Sequence, residues 1–283
     1  MANNLTSATI AGQNSVEHLL PSIVAEAMFQ AQERSIMRNL VKNYTMGAGN
    51  GKTITVPKWN AVTAAGVAEG TDLANNTAMG TDSAVLTVSE VGVMTTVTDL
   101  ALRTAASNVV ADAGRVMGNA IANKMDQDLI ALFAALNGGT TIGDGTGQLS
   151  AAHIFEAVAK IRNQGVTDGN MYAVVNPLVA YDLKSGLTNT FGGHAGDLSN
   201  EALRNGYVGT IAGVNVFESS NVTAEGAVFH QDALGLALMQ DISIETQRDA
   251  SLRATELVAT AVYGTGELFD NYGIGLDFVS SIA

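Results

Sequence analysis

The sequence predicts an α+β chain, and three observations predict it. A very long amphipathic helical pattern occupies Asp99 to Gly139, an alternating pair of segments precedes it between Gly51 and Thr98, and the second half mixes helical and strand patterns. In the first of these, apolar residues recur at Leu102, Val109, Val116, Met117, Ala120, Ile121, Met125, Leu129, Leu132, Phe133 and Leu136. That period, near 3.6, gives one buried stripe. The stretch reads as a single helix of roughly 37 residues, ~55 Å long, a spine rather than a catalytic element. Asp99 is placed to cap its start, and Asn137-Gly138-Gly139 to end it in the left-handed conformation.

Upstream the chain reads as an arm followed by a ribbon. Ser15 to about Val41 sets Val16, Leu19, Leu20, Ile23, Val24, Ala27, Met28 and Ala31 on one side of a first helix, capped by Ser15 or Asn14. Glu17 and Glu26 come early in it and Arg34, Arg38 and Lys42 late, which suits the helix macrodipole. Such a stripe must dock on its own body or on a neighbour. From Lys52 to Trp59 the residues alternate as a strand, and Val85 to Ser89 with Val91 to Val97 alternate on the return. Between them lies a tip rich in Gly, Ala, Asn and Thr, from about Ala61 to Ala84. Pro57 has no amide hydrogen, so the outgoing strand should have an open edge there. A two-stranded ribbon is marginal in isolation and must lie on a surface, of its own domain or of another.

Downstream, Ser150 to about Asn163 carries Ile154, Phe155, Val158 and Ile161 as a helix, ended by Asn163-Gln164-Gly165. A strand follows at Met171 to Val175. Asn176 suits an N-cap and Pro177 a first helical turn, opening a helix that ends at Ser185-Gly186. The glycine-rich run Thr190 to Gly196 is placed to be a mobile projection. Strands then read at Gly209–Phe217, Ala227–His230, Leu234–Gln240, Ile242–Arg248, Glu256–Tyr263 and near Ile274–Val279. No internal repeat or low-complexity linker divides the chain.

Composition narrows the function. The 283 residues include 27 acids and 14 bases, for a net charge of -13. A surface so acidic lacks the phosphate attraction behind non-specific nucleic-acid binding, so specific nucleic-acid recognition is not expected. The chain has no cysteine, which excludes disulfides, cysteine nucleophiles and thiolate metal sites. Its start is polar, with no secretory signal pattern. The apolar runs at Leu234–Met239 and Leu257–Tyr263 are far shorter than the ~20 residues of a membrane span, so no membrane association is expected. Charged residues make up only 14% of the chain, against ~25% in an average soluble domain. Two explanations fit: a compositional bias of the source, or a surface largely covered by other copies of the same chain.

Motifs for chemistry fail on spacing. Gly47-Ala48-Gly49-Asn50-Gly51-Lys52-Thr53 resembles a phosphate-binding loop, but Met46 stands where the first glycine is needed and a strand, not a helix N-terminus, follows. Gly143-Asp144-Gly145-Thr146-Gly147 has Gln148 in place of the third glycine of a dinucleotide fingerprint and reads as a turn. His18, His153, His194 and His230 show no paired metal-ligand spacing. Asp126 and Asp128, two apart in the spine, point to different faces and read as a solvated or interface side. Trp59, Tyr263, Phe269 and Tyr272 lack basic neighbours and read as packing anchors rather than a stacking platform. No catalytic residue, metal ligand or cofactor is expected.

The order of elements, arm helix, long hairpin, spine helix, mixed α/β unit and returning strands, resembles the major capsid protein of tailed bacteriophages, the HK-ninety-seven-type fold. Three stretches add to the likeness: Tyr172-Ala173-Val174-Val175-Asn176-Pro177 running into a helix with Leu183, Gly209 to Val216 before Ser219-Ser220, and Tyr263-Gly264-Thr265-Gly266. The resemblance implies an N-terminal arm over 1–50, an extended β-hairpin loop over 51–98 lying on an adjacent subunit, and a peripheral domain with the spine helix over 99–149. It further implies an axial domain over 150–224 and returning strands over 225–283 that complete the peripheral domain. It implies self-assembly into hexamers and pentamers of an icosahedral shell around a double-stranded DNA genome, formed in the host cytoplasm, with separate scaffolding, portal and cement proteins as partners. No long scaffolding extension precedes the arm. On this reading the subunit-interface candidates are Val56, Trp59, Leu73, Met79 and Leu86 in the ribbon, and Phe191 and His194 in the glycine-rich loop. Some members weld subunits through a lysine on the extended loop; the tip from Ala61 to Ala84 has none, so a non-covalent shell is expected. The rival readings are a cellular nanocompartment shell of similar fold, an enzyme with a spatially assembled site, and a filament or surface-layer protein.

Overall fold

A computed structural model of the chain describes residues 35–47, 49, 51–59, 62–64, 66–70, 79–104, 109–166, 169–190, 207–223 and 225–282. The expected arm helix falls mostly outside them. Its last residues are not α-helical: a 3-10 turn over Met37–Asn39 leads into a short strand, β1 (Lys42–Thr45), that apolar periodicity does not mark.

The spine is shorter than its apolar period predicts. Helix α1 covers Asp99–Thr104 and α2 covers Val109–Ile130, the latter 22 residues and about 33 Å long. Beyond Ile130 the turns tighten. Ala131 N–H still donates to the Gln127 carbonyl at 2.9 Å, but Leu132 N–H donates to Leu129 at 3.2 Å, and a 3-10 stretch runs over Phe133–Gly139. Phe133 and Leu136 both stay buried through the change, so the apolar stripe persists while the helix type does not. Asn137, Gly138 and Gly139 take φ of 55°, 63° and 74° and end the run, as their types predict. Asp99 is the first residue of α1, not its cap. Thr98 Oγ1 accepts from Ala101 N–H at 3.3 Å, while the Asp99 carboxylate accepts both Arg248 Nη groups at 2.7 Å.

Three sheets organise the rest. β4 (Ser89–Thr98), β9 (Leu234–Asp249) and β10 (Ala254–Glu267) join β1 in the order β1-β9-β10-β4. β5 (Met171–Val175), β6 (Tyr207–Ile211), β7 (Val214–Glu218), β8 (Gly226–His230) and β11 (Gly273–Leu276) form a second sheet, β11-β8-β5-β7-β6. β2 (Thr53–Trp59) pairs only with β3 (Thr81–Thr87). Residues 225–283 therefore do not return as one unit: β9 and β10 lie in the spine's sheet, whereas β8 and β11 extend the sheet built on β5.

Two strand boundaries differ from the sequence reading for physical reasons. Gly209–Phe217 is a hairpin, β6 and β7, turning at Ala212-Gly213 with φ of 56° and 83°, the left-handed pair that a tight hairpin requires. Leu234–Gln240 and Ile242–Arg248 are one strand, β9, whose pairing with β10 slips between Gln240 and Ser243. That bulge presents Asp241 to Arg38, whose guanidinium donates to both carboxylate oxygens at 3.2 and 3.0 Å. α3 (Ala151–Asn163) begins as expected, with Ser150 and His153 closing a reciprocal capping box. α4 (Pro177–Thr190) starts at Pro177 with Asn176 Oδ1 accepting from Leu178 N–H at 2.9 Å, and it continues past Ser185-Gly186. The projection expected at Thr190 to Gly196 lies outside the described residues from 191 onward.

Two main cores meet at the five-stranded sheet. On one side Met117, Ile121, Met125 and Leu129 of α2 pack on Leu257, Ala259, Ala261 and Tyr263 of β10, and Phe133 meets Phe229 of β8 at a ring distance of 5.5 Å. On the other, Ile154, Val158 and Ile161 of α3 and Leu183 of α4 cover Met171, Ala173 and Val175 of β5. Asp126, expected on a solvated or interface side, is fully buried within the chain. It accepts from Ser35 Oγ at 2.7 Å and Ile36 N–H at 2.8 Å, pinning the segment before β1 to the spine. Asp128 serves another face, accepting from Lys124 Nζ at 2.6 Å and Tyr263 OH at 2.7 Å. Burial, and then that bond to Asp128, push the Tyr263 phenol up.

Candidate assembly surface

The ribbon β2–β3 has two unlike faces, set by its register. Residues opposite one another on an antiparallel pair share a face, so Ile54, Val56 and Lys58 stand with Leu86, Ala84 and Asp82, while Thr53, Thr55, Pro57 and Trp59 stand with Thr87, Val85, Ser83 and Thr81. The first face folds down on the chain itself. Leu86 and Ala84 cluster with Met46, Val88, Ala237 and Leu268, with Ile54, Val56 and Phe269 at the margin. Contact is close enough to require glycine: a Cβ on Gly264 would lie 2.2 Å from the Thr87 carbonyl oxygen.

The second face contains no charged side chain and lies in solvent. Trp59 is 66% exposed, Val85 55%, and Met79, just before β3, 63%. β2 has no partner among the described residues on its outer edge, where Pro57 sits. Of the sequence-predicted interface residues, Trp59 and Met79 are thus on the open surface and Val56 is half-buried on the ribbon's inner face. Leu86 is 0% exposed and belongs to the core: on alternating strands its neighbour Val85 takes the outward position instead. Leu73, Phe191 and His194 lie outside the described residues.

Toward the tip end of β2 a small electrostatic cluster ties the outgoing strand to the end of β10. Lys58 Nζ sits 5.1 Å from the centroid of the Phe269 ring, which stacks on Tyr272 at 4.7 Å. Burial, and then its hydrogen bond and repulsion with Asp270, push the Glu267 carboxyl up to about 7, against the pull of Lys58. Asp270 also accepts from Gly138 N–H at 2.9 Å, joining this cluster to the end of the spine.

The two described histidines act locally. His153 caps α3 and stacks on Phe278 at 4.5 Å, and His230 Nδ1 accepts from Asp232 N–H at 3.2 Å. Gly143–Gly147 is a turn, with Asp144 Oδ1 accepting from the Thr146 hydroxyl at 2.6 Å and N–H at 3.1 Å. Among the described residues no group of three His, Asp or Glu side chains converges as for a metal ion, and no helix is long and apolar enough to cross a membrane.

A family model described as phage capsid protein matches residues 81–274, more than half of the chain. The chain belongs to the phage capsid protein family. No curated protein matches it. Solved structures do, over nearly all of the chain. The capsid of cyanophage P-SCSP1u aligns with a TM-score of 0.73 at 21% identity, covering 99% of this chain and 100% of that one. Mycobacterium phage Che8 aligns at 0.71 and 20% identity, over 89% and 94%, and the capsid of Ralstonia phage GP4 at 0.71 and 10%, over 96% and 98%. This capsid protein has the HK-ninety-seven-type fold, and its place is the virion shell.

For a capsid protein the informative surface is not a pocket but the ribbon and the outer end of the four-stranded sheet, where Met94, Leu100, Ile244 and Leu252 are also exposed. Sequence reasoning missed these four. Met94 lies opposite the Val91, Val93 and Val97 side of β4, a period-2 signal that was present, whereas Ile244 shares the face of Ala259 and is followed by exposed Glu245, Thr246 and Gln247, so β9 carries no such signal there. Leu252 lies in the turn between β9 and β10, where no periodicity operates, and Leu100 is the second residue of the short helix α1.

Proposed function

We propose that this capsid protein assembles with copies of itself into hexamers and pentamers that close an icosahedral shell around the double-stranded DNA genome of a tailed phage, in the host cytoplasm. Its role is structural rather than catalytic. The ribbon, residues 51–98, is the extended loop, and its uncharged outer face rests on an adjacent subunit. α2 with the four-stranded sheet is the peripheral domain. The five-stranded sheet with α3 and α4 is the axial domain at the capsomer centre, and residues 1–50 form an arm to neighbouring subunits. The single observation that carries this is the ribbon: half of its side chains are apolar or uncharged, exposed and left without cover on a chain with only 14% charged residues.

Because the tip has no lysine, subunits in this shell are held non-covalently by interlocked ribbons and arms, and a scaffolding protein, a portal and a cement protein are its partners. The test is electron microscopy with light scattering on the full chain, expressed alone and with its neighbouring genes. Closed shells, capsomer rings or tubes support the assignment, whereas a small compact oligomer under every condition contradicts it. A denaturing gel of mature particles should show monomers and no covalent ladder.

A further inference from the structure

The end of β10 carries a carboxyl group that its surroundings leave incomplete. Glu267, the last residue of the strand, pairs with Leu234 of β9. Its Oε1 is buried and has no hydrogen-bond partner among the described residues, which in a folded protein calls for an explanation. Its side-chain partner is another acid. The Glu267 and Asp270 carboxyls are hydrogen-bonded to each other, which requires a proton between them, because ionised carboxylates only accept. Asp270 is held from its other side by Gly138 N–H at 2.9 Å.

The ribbon brings the cation. Lys58 Nζ lies 5.1 Å from the centroid of the Phe269 ring, forms no ion pair among the described residues, and acts on Glu267 as a positive charge. The same strand end is pressed against the ribbon, since a Cβ on Gly266 would lie 2.5 Å from Leu86 Cδ2. With the shared proton in place, Lys58, Glu267 and Asp270 are neutral in sum. Without it two carboxylates face each other, and the Lys58 ammonium is the nearby charge that relieves them.

We propose that Glu267, Asp270 and Lys58 form a proton switch in the seat of the ribbon on its own chain. With the proton shared, Lys58 rests on Phe269; once the proton is lost, Lys58 moves between the carboxylates and draws the end of β2 onto the end of β10. Linkage sets the sign. Lys58 opposes the rise at Glu267, so ionisation of Glu267 strengthens the hold of Lys58 by the same free energy. That hold grows as pH rises through about 7, while the contribution of the raised carboxyl itself is lost over the same range.

Other charged and titratable groups face the cluster. Asp82 stands opposite Lys58 on the same ribbon face, its Oδ1 accepting from Ser83 N–H. Tyr44 of β1 packs in the same small core as Phe269. Tyr272 stacks on Phe269, and His230 stands edge-on to Tyr272 at 6.2 Å, with Asp232 and Lys42 beyond it. Histidine is the residue type that ordinarily changes charge in this pH range, so the test must separate it from Glu267.

The test uses the full chain, unassembled, so that neither outcome bears on the shell reading. Urea midpoints are compared for the parent, Lys58→Met, Glu267→Gln and the double variant, at about pH 5.5 and about pH 8.5. In the parent background Lys58→Met should lower the midpoint at least about twofold more at the higher pH, and in the Glu267→Gln background equally at both. The emission of Trp59, the neighbour of Lys58, gives a second readout without denaturant: it should shift with a midpoint near pH 7 in the parent and in His230→Asn, whose Oδ1 replaces Nδ1 as acceptor, and stay flat in Glu267→Gln. A loss from Lys58→Met that is the same at both pH values overturns the switch. So does an emission shift that survives Glu267→Gln and disappears in His230→Asn, which would place the proton on the histidine.

Discussion

The five-stranded sheet and the ribbon are built from similar residues, yet one is finished by its own chain and the other is not. β5, β8 and β11 are buried almost throughout, because α3 and α4 cover one side and the end of the spine, with Phe133 and Leu136, covers the other. β2 alternates exposed and half-buried residues along its whole length, and β3 buries only Ala84 and Leu86. The difference separates two kinds of stability. The sheet carries the fold of the subunit, and the ribbon's outer face contributes nothing to it until something covers that face.

Substitutions should divide along this line. The largest loss of subunit stability is expected from Phe229→Ala, which empties the contact between the sheet and the spine end and should cost about 3–5 kcal/mol, read as a lower urea midpoint in unassembled protein. Next is Asp126→Ala. It strands the Ser35 hydroxyl and the Ile36 N–H beside a buried site and should cost about 1–3 kcal/mol, read in the same titration and accompanied by faster amide exchange in β1.

A smaller, pH-dependent effect is expected where the ribbon meets the end of β10. The Glu267 carboxyl is raised in the folded chain from the ordinary 4.5 to about 7. A raised acid gives its full contribution below its unfolded value and loses it as pH rises through the folded one. The parent should therefore melt at progressively lower temperature from about pH 5 to 8 relative to Glu267→Gln, which stays neutral throughout. Asp99 has the opposite sign: the hydrogen bond and charge of Arg248 hold its carboxyl below the usual range, so its contribution is lost as pH falls. Melts of Arg248→Ala and the parent should converge in acid. The smallest effect on the subunit is expected from Val85→Thr on the outer ribbon face, within about 0.5 kcal/mol, although the same change should lower particle yield.

The same contrast explains what the sequence made legible. Alternation and period identify β2, the later half of β3, β5, helix α3 and the start of α4, because their signals are local: the apolar period from Ile154 to Ile161, Asn176 with Pro177, and alternating β-branched residues. The first half of β3, Thr81–Ala84, was read as part of the tip. The end of α2 was not legible, since Phe133 and Leu136 keep the apolar period while the turns tighten. Nor was the bulge at Asp241, which depends on Arg38 some 200 positions away, or the burial of Asp126, which depends on Ser35 and Ile36. On the ribbon, Trp59 and Met79, read from the sequence as interface candidates, are exposed. Leu86 was misassigned because interface and core both select large apolar residues, and only the face of the strand decides between them.

Trp59 is the single tryptophan of the chain, so its fluorescence reports on the ribbon tip alone. The decisive measurement compares acrylamide quenching of that emission in unassembled subunits and in purified particles. Coverage of the ribbon by an adjacent subunit predicts strong quenching in the subunit and a several-fold lower quenching constant with a blue-shifted emission in the particle. Equal quenching in both states would mean that the ribbon's outer face stays in solvent after assembly, and would contradict the account.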